Sequence, residues 1–290
     1  RMVNVQPLEA MFNSSFIVRA FHVVATAGMT MAFILAAIAA FKLLRNRHSE
    51  DRTYHKKALK MTMIVGFLST ILSMVAGDLS AKFLHKVQPE KLAAYEWHYD
   101  TQSHANLVFF GVLNEKTHEV SGAIEIPGLL SFLADDSFKT KVKGLNDFPK
   151  NDLPPMIVHY FFDLMVSMGV FCFIISGLYM LILFFKKLRK YKTNKAMLYA
   201  ILLTGPASLL AIEFGWFLTE MGRQPWIIRG YMRVSQAATQ AGGITLVTIL
   251  FGILYLVLMV TAAYVLIRMY RNKPAYQDVD KVIEERGGTK

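Results

Sequence analysis

Three side chains in this 290-residue sequence could do chemistry that packing residues do not: His22, Met165 and Glu220. Each lies within or at the end of a long apolar stretch. An imidazole, a thioether and a carboxylate are side chains that hold porphyrin iron, and His/Met pairing raises the reduction potential of a low-spin heme. Glu213 and Trp216 precede Glu220 at i, i+3 and i+7, on one helical face. An ionisable group at membrane depth costs roughly 2.5–3.5 kcal/mol on insertion scales, which is why such a residue usually marks a function. The stripe therefore reads as facing a protein-lined cavity, the alternative being a helix end with a glutamate snorkelling to water. Asp163, two residues before Met165, suits a proton path or pairing with a cation. Other uses remain open. A histidine in an apolar helix is often a hydrogen-bonded packing residue, and with 16 methionines in the chain Met165 alone reads as filler. A proton-coupled transporter would also bury these residue types, with Pro206 breaking a span as transporter helices often do.

The elements that position these residues follow from composition. The chain is 54% hydrophobic, with a mean hydropathy of +0.35. Five apolar stretches, roughly 14–44, 57–83, 156–185, 196–221 and 243–271, each reach the ~20 residues that cross a bilayer core. Only helices and closed barrels satisfy their backbones in lipid. The expected fold is therefore all-α, a polytopic transmembrane bundle of five spans. Its expected organisation is two helices with the histidine (1–83), a long extracytoplasmic loop (84–155), three helices with the methionine and glutamate (156–271) and a tail (272–290). The single cysteine, Cys172, excludes a disulfide framework and a thiol metal site.

The net charge of +11 does not indicate nucleic acid, because it is distributed by loop. Lys42, Arg45, Arg47, Arg52, Lys56, Lys57 and Lys60 crowd the first connection. Lys186, Lys187, Arg189, Lys190, Lys192 and Lys195 crowd the third, and Arg268, Arg271 and Lys273 the last span's end and the tail. The 84–155 loop balances its lysines with acids such as Glu90, Glu96 and Asp135. The positive-inside rule puts the basic connections and the C-terminus in the cytoplasm, and the N-terminus, the 84–155 loop and 223–242 outside. His22 and Met165 then lie about nine and ten residues in from the outer surface, within roughly 15 Å of it at 1.5 Å per residue, on the side where Glu220 emerges.

Gly215-Trp216-Phe217-Leu218-Thr219-Glu220-Met221-Gly222-Arg223-Gln224-Pro225-Trp226 resembles the signature of subunit I of the cytochrome bd quinol oxidases. Further matches follow in order. Phe21-His22-Val23-Val24-Ala25-Thr26 and Phe162-Asp163-Leu164-Met165-Val166 resemble the segments that hold the low-spin heme. Gly77-Asp78, Gln88 to Trp97 and Ala123-Ile124-Glu125-Ile126-Pro127 resemble parts of the quinol-binding loop. The loop is short, similar to that of the family's Gram-positive branch; the quinol stays open between menaquinol and ubiquinol, a Gram-positive host suggesting the former.

The resemblance implies roles. His22 and Met165 are the expected axial ligands of low-spin heme b, and Glu220 that of high-spin heme b, with heme d completing the dioxygen side. Trp216 is expected to help electrons pass between hemes. Arg223, and with it Gln224, is expected near heme propionates, where a guanidinium fork suits a carboxylate. Lys91 is expected to bind a quinol oxygen and Glu96 to help take its protons; read from the residues alone, the two are a solvated pair in a polar loop. Asp163 stands where some members carry arginine, so that arginine's role does not transfer. His98, Asp100 and His104 lack a metal-ligand spacing and read as surface residues. The family's subunit I has four further helices upstream, so this chain is expected to be its C-terminal part, with a complete low-spin site and half of the dioxygen-reducing one. The implied activity is electrogenic quinol:dioxygen oxidoreduction without a proton pump, in a bacterial cell membrane, beside a second membrane subunit (subunit II) and a small single-helix subunit. The alternatives are a non-catalytic membrane b-type cytochrome and the transporter.

Overall fold

The structure, a computed structural model, describes residues 6–45, 49–239 and 241–272. Arg47, Lys273 and nearly all of the expected tail lie outside the described residues. In chain order the elements are α1 (Pro7–Met11), α2 (Phe16–Arg45), α3 (Ser49–Val87), α4 (Pro89–Tyr95), β1 (Leu107–Phe109), β2 (Val112–Asn114), β3 (Glu119–Ser121), β4 (Ile124–Ile126), α5 (Leu129–Asp135), α6 (Val158–Phe184), α7 (Lys195–Met221), β5 (Trp226–Ile228), β6 (Met232–Arg233), α8 (Val234–Ala237) and α9 (Ile244–Asn272).

Five of the helices, α2, α3, α6, α7 and α9, are long and apolar enough to cross a membrane. Their bounds match the sequence expectation within a few residues except at α3. That helix starts before the apolar run because Arg52–Lys60 continues it in good helix formers. Four of the five form a ring: α2 packs on α3 and α7, and α6 packs on α7 and α3, leaving α2 and α6 diagonally opposed. Lipid supplies no hydrophobic force between helices, so close approach by small residues holds the ring. Ala25, Ala32, Ala36, Ala39 and Ala40 of α2 are buried. At Gly205 of α7 an added Cβ would lie 2.8 Å from that of Ala37. Phe33, Leu59, Met63, Cys172, Tyr179 and Ile201 fill the half of the bundle nearest the α2–α3 and α6–α7 connections. The apolar window of α9 is wholly exposed within this chain.

The 84–155 segment is a folded cap. β1 pairs with β4 and β2 with β3, making one long antiparallel hairpin broken at Phe110–Gly111 and Gly122–Ala123. Leu92, Ala105, Leu107, Leu130, Ala134 and Val142 form its core. A second core of Ala93, Ala94, Tyr95, Leu145, Val158 and Leu218 seats it on the ends of α6 and α7. Lys82 pairs with Asp78 and Asp136, each at 2.7 Å, and Lys86 with Asp135 at 3.0 Å, tying α5 to the end of α3.

Candidate quinol and heme site

Residues 156, 159, 160 and 163 fall on one face of the start of α6, and the cap is fastened to that face. The Trp97 indole donates to the Met156 carbonyl at 2.8 Å, and the Tyr160 hydroxyl to the Gly111 carbonyl at 3.0 Å. The Phe110 amide donates to Asp163 Oδ2 at 2.6 Å. His159 Nδ1 lies 2.6 Å from the Tyr95 carbonyl, and since a carbonyl only accepts, Nδ1 carries the proton. That ring stacks on Trp97 with centroids 3.9 Å apart, and its Nε2 stands 3.1 Å from Asp163 Oδ2, close enough to pair but not aligned as a hydrogen bond. Trp97 and Phe110 take left-handed backbone, φ 47° and 55°, a costly conformation for bulky residues that only over-determined surroundings sustain.

Glu96 sits at the end of α4 beside this face, 2% exposed, with Oε2 lacking a hydrogen-bond partner among the described residues. Burial pushes its carboxyl well above the usual range; the Asp163 charge pushes the same way, and a hydrogen bond from the Val108 backbone opposes it. The solvated pair read from the residues alone is therefore not what the chain builds.

Lys91 belongs to a different neighbourhood. Five residues at 100° each place it about 140° around the helix from Glu96. Burial, helped by the charges of Arg19, Arg229 and Arg223 and opposed by Glu90, lowers its ammonium to about 8. Arg229 holds Glu90 at 2.7 Å and donates to the Val87 carbonyl at 2.6 Å, fixing the junction of α3 and α4. Lys91, Arg19, Arg223 and Arg229 thus make a cationic cluster where α2, α4 and the end of α7 meet.

Among the expected iron ligands, His22 is half-buried on α2, one turn after Arg19. Met165 is half-buried on α6, and a Cβ added at Gly215 of α7 would lie 3.3 Å from its Sδ. α2 and α6 face each other across the ring, and this half lies away from the filled core. An imidazole and a soft thioether on opposed helices, with a cationic cluster nearby for propionates, fit a low-spin heme by the chemistry of the donor set. The Glu213, Trp216 and Glu220 stripe is exposed within this chain, so the described helices alone supply no cavity for it. The reason is geometric: Ala207, Ala211 and Leu218 form the buried face of α7, and the stripe lies about 200° away. Glu220 is paired with Arg223, both side chains half-exposed, and Gln224 is exposed at the helix stop.

The stop itself decides how the cap docks. A Cβ at Gly222 would lie 2.4 Å from the Tyr95 hydroxyl oxygen, so glycine here makes room for the ring next to Glu96. The signature read along α7 and the buried carboxylate on α4 are thus one assembly, and residues 1–274 match the family model described as cytochrome bd terminal oxidase subunit I. The chain belongs to that family.

It is 39% identical over 282 residues to a Bacillus subtilis (strain 168) protein provisionally named cytochrome bd menaquinol oxidase subunit I, covering 97% of this chain and 63% of that one. It is 30% identical over 264 residues to the cytochrome bd ubiquinol oxidase subunit 1 of the same organism, covering 85% of this chain and 54% of the relative. The solved bd oxidase of Geobacillus thermodenitrificans superposes with a TM-score of 0.86 at 45% identity, over 94% of this chain and 62% of that one. The chain thus spans less than two thirds of each of these relatives.

Several residues of this family site were not legible as such from the sequence. His159 stands four residues before Asp163, a spacing that could have flagged the pair, and Arg19 stands three before His22. Arg229 carries no such signal, while Trp97 is matched only as the end of a loop segment. Of the three residues expected at the surface, Asp100 and His104 are exposed, but His98 is buried. Asp100 accepts from the Asn146 amide at 2.9 Å.

Proposed function

We propose that this chain, within a cytochrome bd-type oxidase, oxidises membrane quinol at the cap and passes the electrons toward dioxygen. The observation that carries the reading is the buried Glu96, locked through Tyr95, His159 and Asp163 to the same helix that holds Met165. A carboxylate whose proton affinity is lifted by burial is a better base for a quinol hydroxyl than a solvated one. On the other side of α4, Lys91, its ammonium lowered to about 8 yet still largely charged near neutral pH, can donate a hydrogen bond to a quinol oxygen.

His22 and Met165 would hold low-spin heme b and Glu220 high-spin heme b, and these hemes with heme d would carry electrons from quinol to dioxygen. The chain's own work is to place them. Gly215 lets the Met165 thioether lie against α7, and Arg19, Arg223 and Arg229 offset anionic propionates, with Gln224 beside them. His159 and Asp163 hold the Tyr95 carbonyl and the Phe110 amide, so that Glu96 stays buried while its proton leaves toward the cap. Trp216, exposed one turn before Glu220, supplies an aromatic surface between hemes.

The basic connections lie in the cytoplasm in this reading and the cap outside, so that quinol protons leave outside and those consumed by dioxygen come from the cytoplasm. Each charge moved across 100 mV is then worth about 2.3 kcal/mol without a pump. The uncovered α9 offers a surface for a second membrane subunit and a small single-helix one. The name of the 39% identical relative supports menaquinol, that of the 30% identical one ubiquinol.

Anaerobic quinol reduction of the purified complex, followed by heme absorption, tests the assignment. His22→Ala and Met165→Leu should each abolish the low-spin signal. Glu220→Ala should disturb the high-spin heme while quinol still reduces the low-spin one. Normal low-spin spectra in both of the first two variants would remove the ligand assignment.

A further inference from the structure

At the end of the bundle opposite the cap, the start of α3, the end of α6 and the α6–α7 connection line a cleft of about 210 Å³. Lys56, Lys60, Arg189 and Lys192 line it, above Leu183 and the buried Tyr179. Among the described residues no carboxylate lines it, and no ion pair includes any of its four cations. Cations gathered round one enclosure repel each other, an arrangement that an anion relieves. Two features make the site more than surface lysines. Arg189 Nε donates to the Leu183 carbonyl at 3.1 Å, which anchors the guanidinium at the rim while leaving its Nη groups for a ligand. Thr193, also lining the cleft, immediately precedes Asn194, the N-cap of the 27-residue helix α7, whose side chain makes no capping bond. The start of α7, with the positive end of its dipole, thus follows directly on the cleft's lining.

We infer that this cleft binds a phosphate group, and that the phosphate is the headgroup of an anionic phospholipid. The lipid source follows from the surroundings. Phe184 and Phe185 at the end of α6 are 78% and 50% exposed, and Tyr191 and Tyr54 are 42% and 45% exposed, an aromatic girdle of the kind that sits at headgroup level. An acyl chain can follow these apolar helix ends while its phosphate occupies the cleft. The inference rests on no part of the redox reading.

The test uses the purified oxidase complex in detergent, titrated with phosphatidylglycerol, phosphatidylcholine or inorganic phosphate while its thermal midpoint is followed. Phosphatidylglycerol should raise the midpoint beyond phosphatidylcholine. Lys60→Gln/Arg189→Gln should need about thirtyfold more phosphatidylglycerol for the same rise, from two basic groups near the membrane surface. Lys60→Arg/Arg189→Lys should keep most of the effect, and Lys139→Gln/Lys141→Gln, of equal charge change on the cap, all of it. If the glutamine pair does not assemble, Lys192→Gln with native mass spectrometry of retained phosphatidylglycerol gives the same reading. An unchanged titration in the glutamine variants overturns the site. Full stabilisation of wild type by inorganic phosphate alone overturns the lipid as its occupant.

Discussion

Replacing Gly222 by alanine should uncouple the cap from the bundle through one atom. The backbone at Gly222 is ordinary, with φ −68°, so alanine brings no conformational strain there. The new methyl would lie 2.4 Å from the Tyr95 hydroxyl oxygen, 2.9 Å from its Cε1 and 2.6 Å from the Leu218 carbonyl oxygen. Overpacking of this kind costs about 1–3 kcal/mol. At about 2 kcal/mol the docked position of α4 is disfavoured roughly thirtyfold, and Glu96 follows because it is the next residue. The Michaelis constant for quinol should rise by about that factor while the low-spin heme spectrum, set from His22 and Met165, stays. Tyr95→Phe removes the nearest obstructing atom and gives up only a 3.5 Å hydrogen bond to the Leu218 carbonyl, worth about 1 kcal/mol or less. The double variant should therefore recover about 1 kcal/mol relative to the sum of the two single changes, the Leu218 contact keeping recovery incomplete. Steady-state quinol kinetics on the four proteins give the coupling. A wild-type Michaelis constant in Gly222→Ala, or strict additivity in the cycle, would refute the seating argument.

Glu96→Gln should abolish quinol oxidation while hemes and assembly persist, as measured by quinol-driven and dithionite-driven reduction of the same preparation. The same variant carries a pH signature in thermal stability. Because the folded carboxyl is pushed up, its stabilising contribution is complete below the ordinary glutamate range and is lost as pH rises toward the folded value. Wild type should thus lose up to about 1.4 kcal/mol per pH unit across that window, a slope that the glutamine removes. Asp163→Ala leaves the Phe110 amide and His159 Nε2 without their carboxylate, so protection of the Phe110 amide in hydrogen exchange should fall by about 2 kcal/mol, roughly thirtyfold. Asp163→Asn, which keeps an acceptor, should fall between.

The membrane part was legible because lipid leaves the chain few options: a long apolar stretch must be helical, and five such stretches became five helices. The same simplicity hid facing. In a soluble helix the polar face marks solvent, whereas an apolar helix in lipid can bury or expose either side. The Glu213, Trp216 and Glu220 stripe could therefore be placed on one face but not aimed. The aim came from alanines and a leucine on the opposite side, whose smallness means close packing only once a neighbour is known.

Long-range partners were the other blind spot. Trp97 and Met156 are 59 residues apart, Phe110 and Asp163 53, and no local period connects them. Glu96 reads as a loop carboxylate until Tyr95, Trp97 and His159 close around it, and its burial comes from residues with no reason in the sequence to be neighbours. Gly222 joins the two levels. In the sequence it stops a helix, and in the fold its missing Cβ is the space in which Tyr95 lies. A signature glycine between Glu220 and Arg223 thus shapes the surroundings of Glu96, the proposed quinol base at the end of α4, although it carries no chemistry of its own.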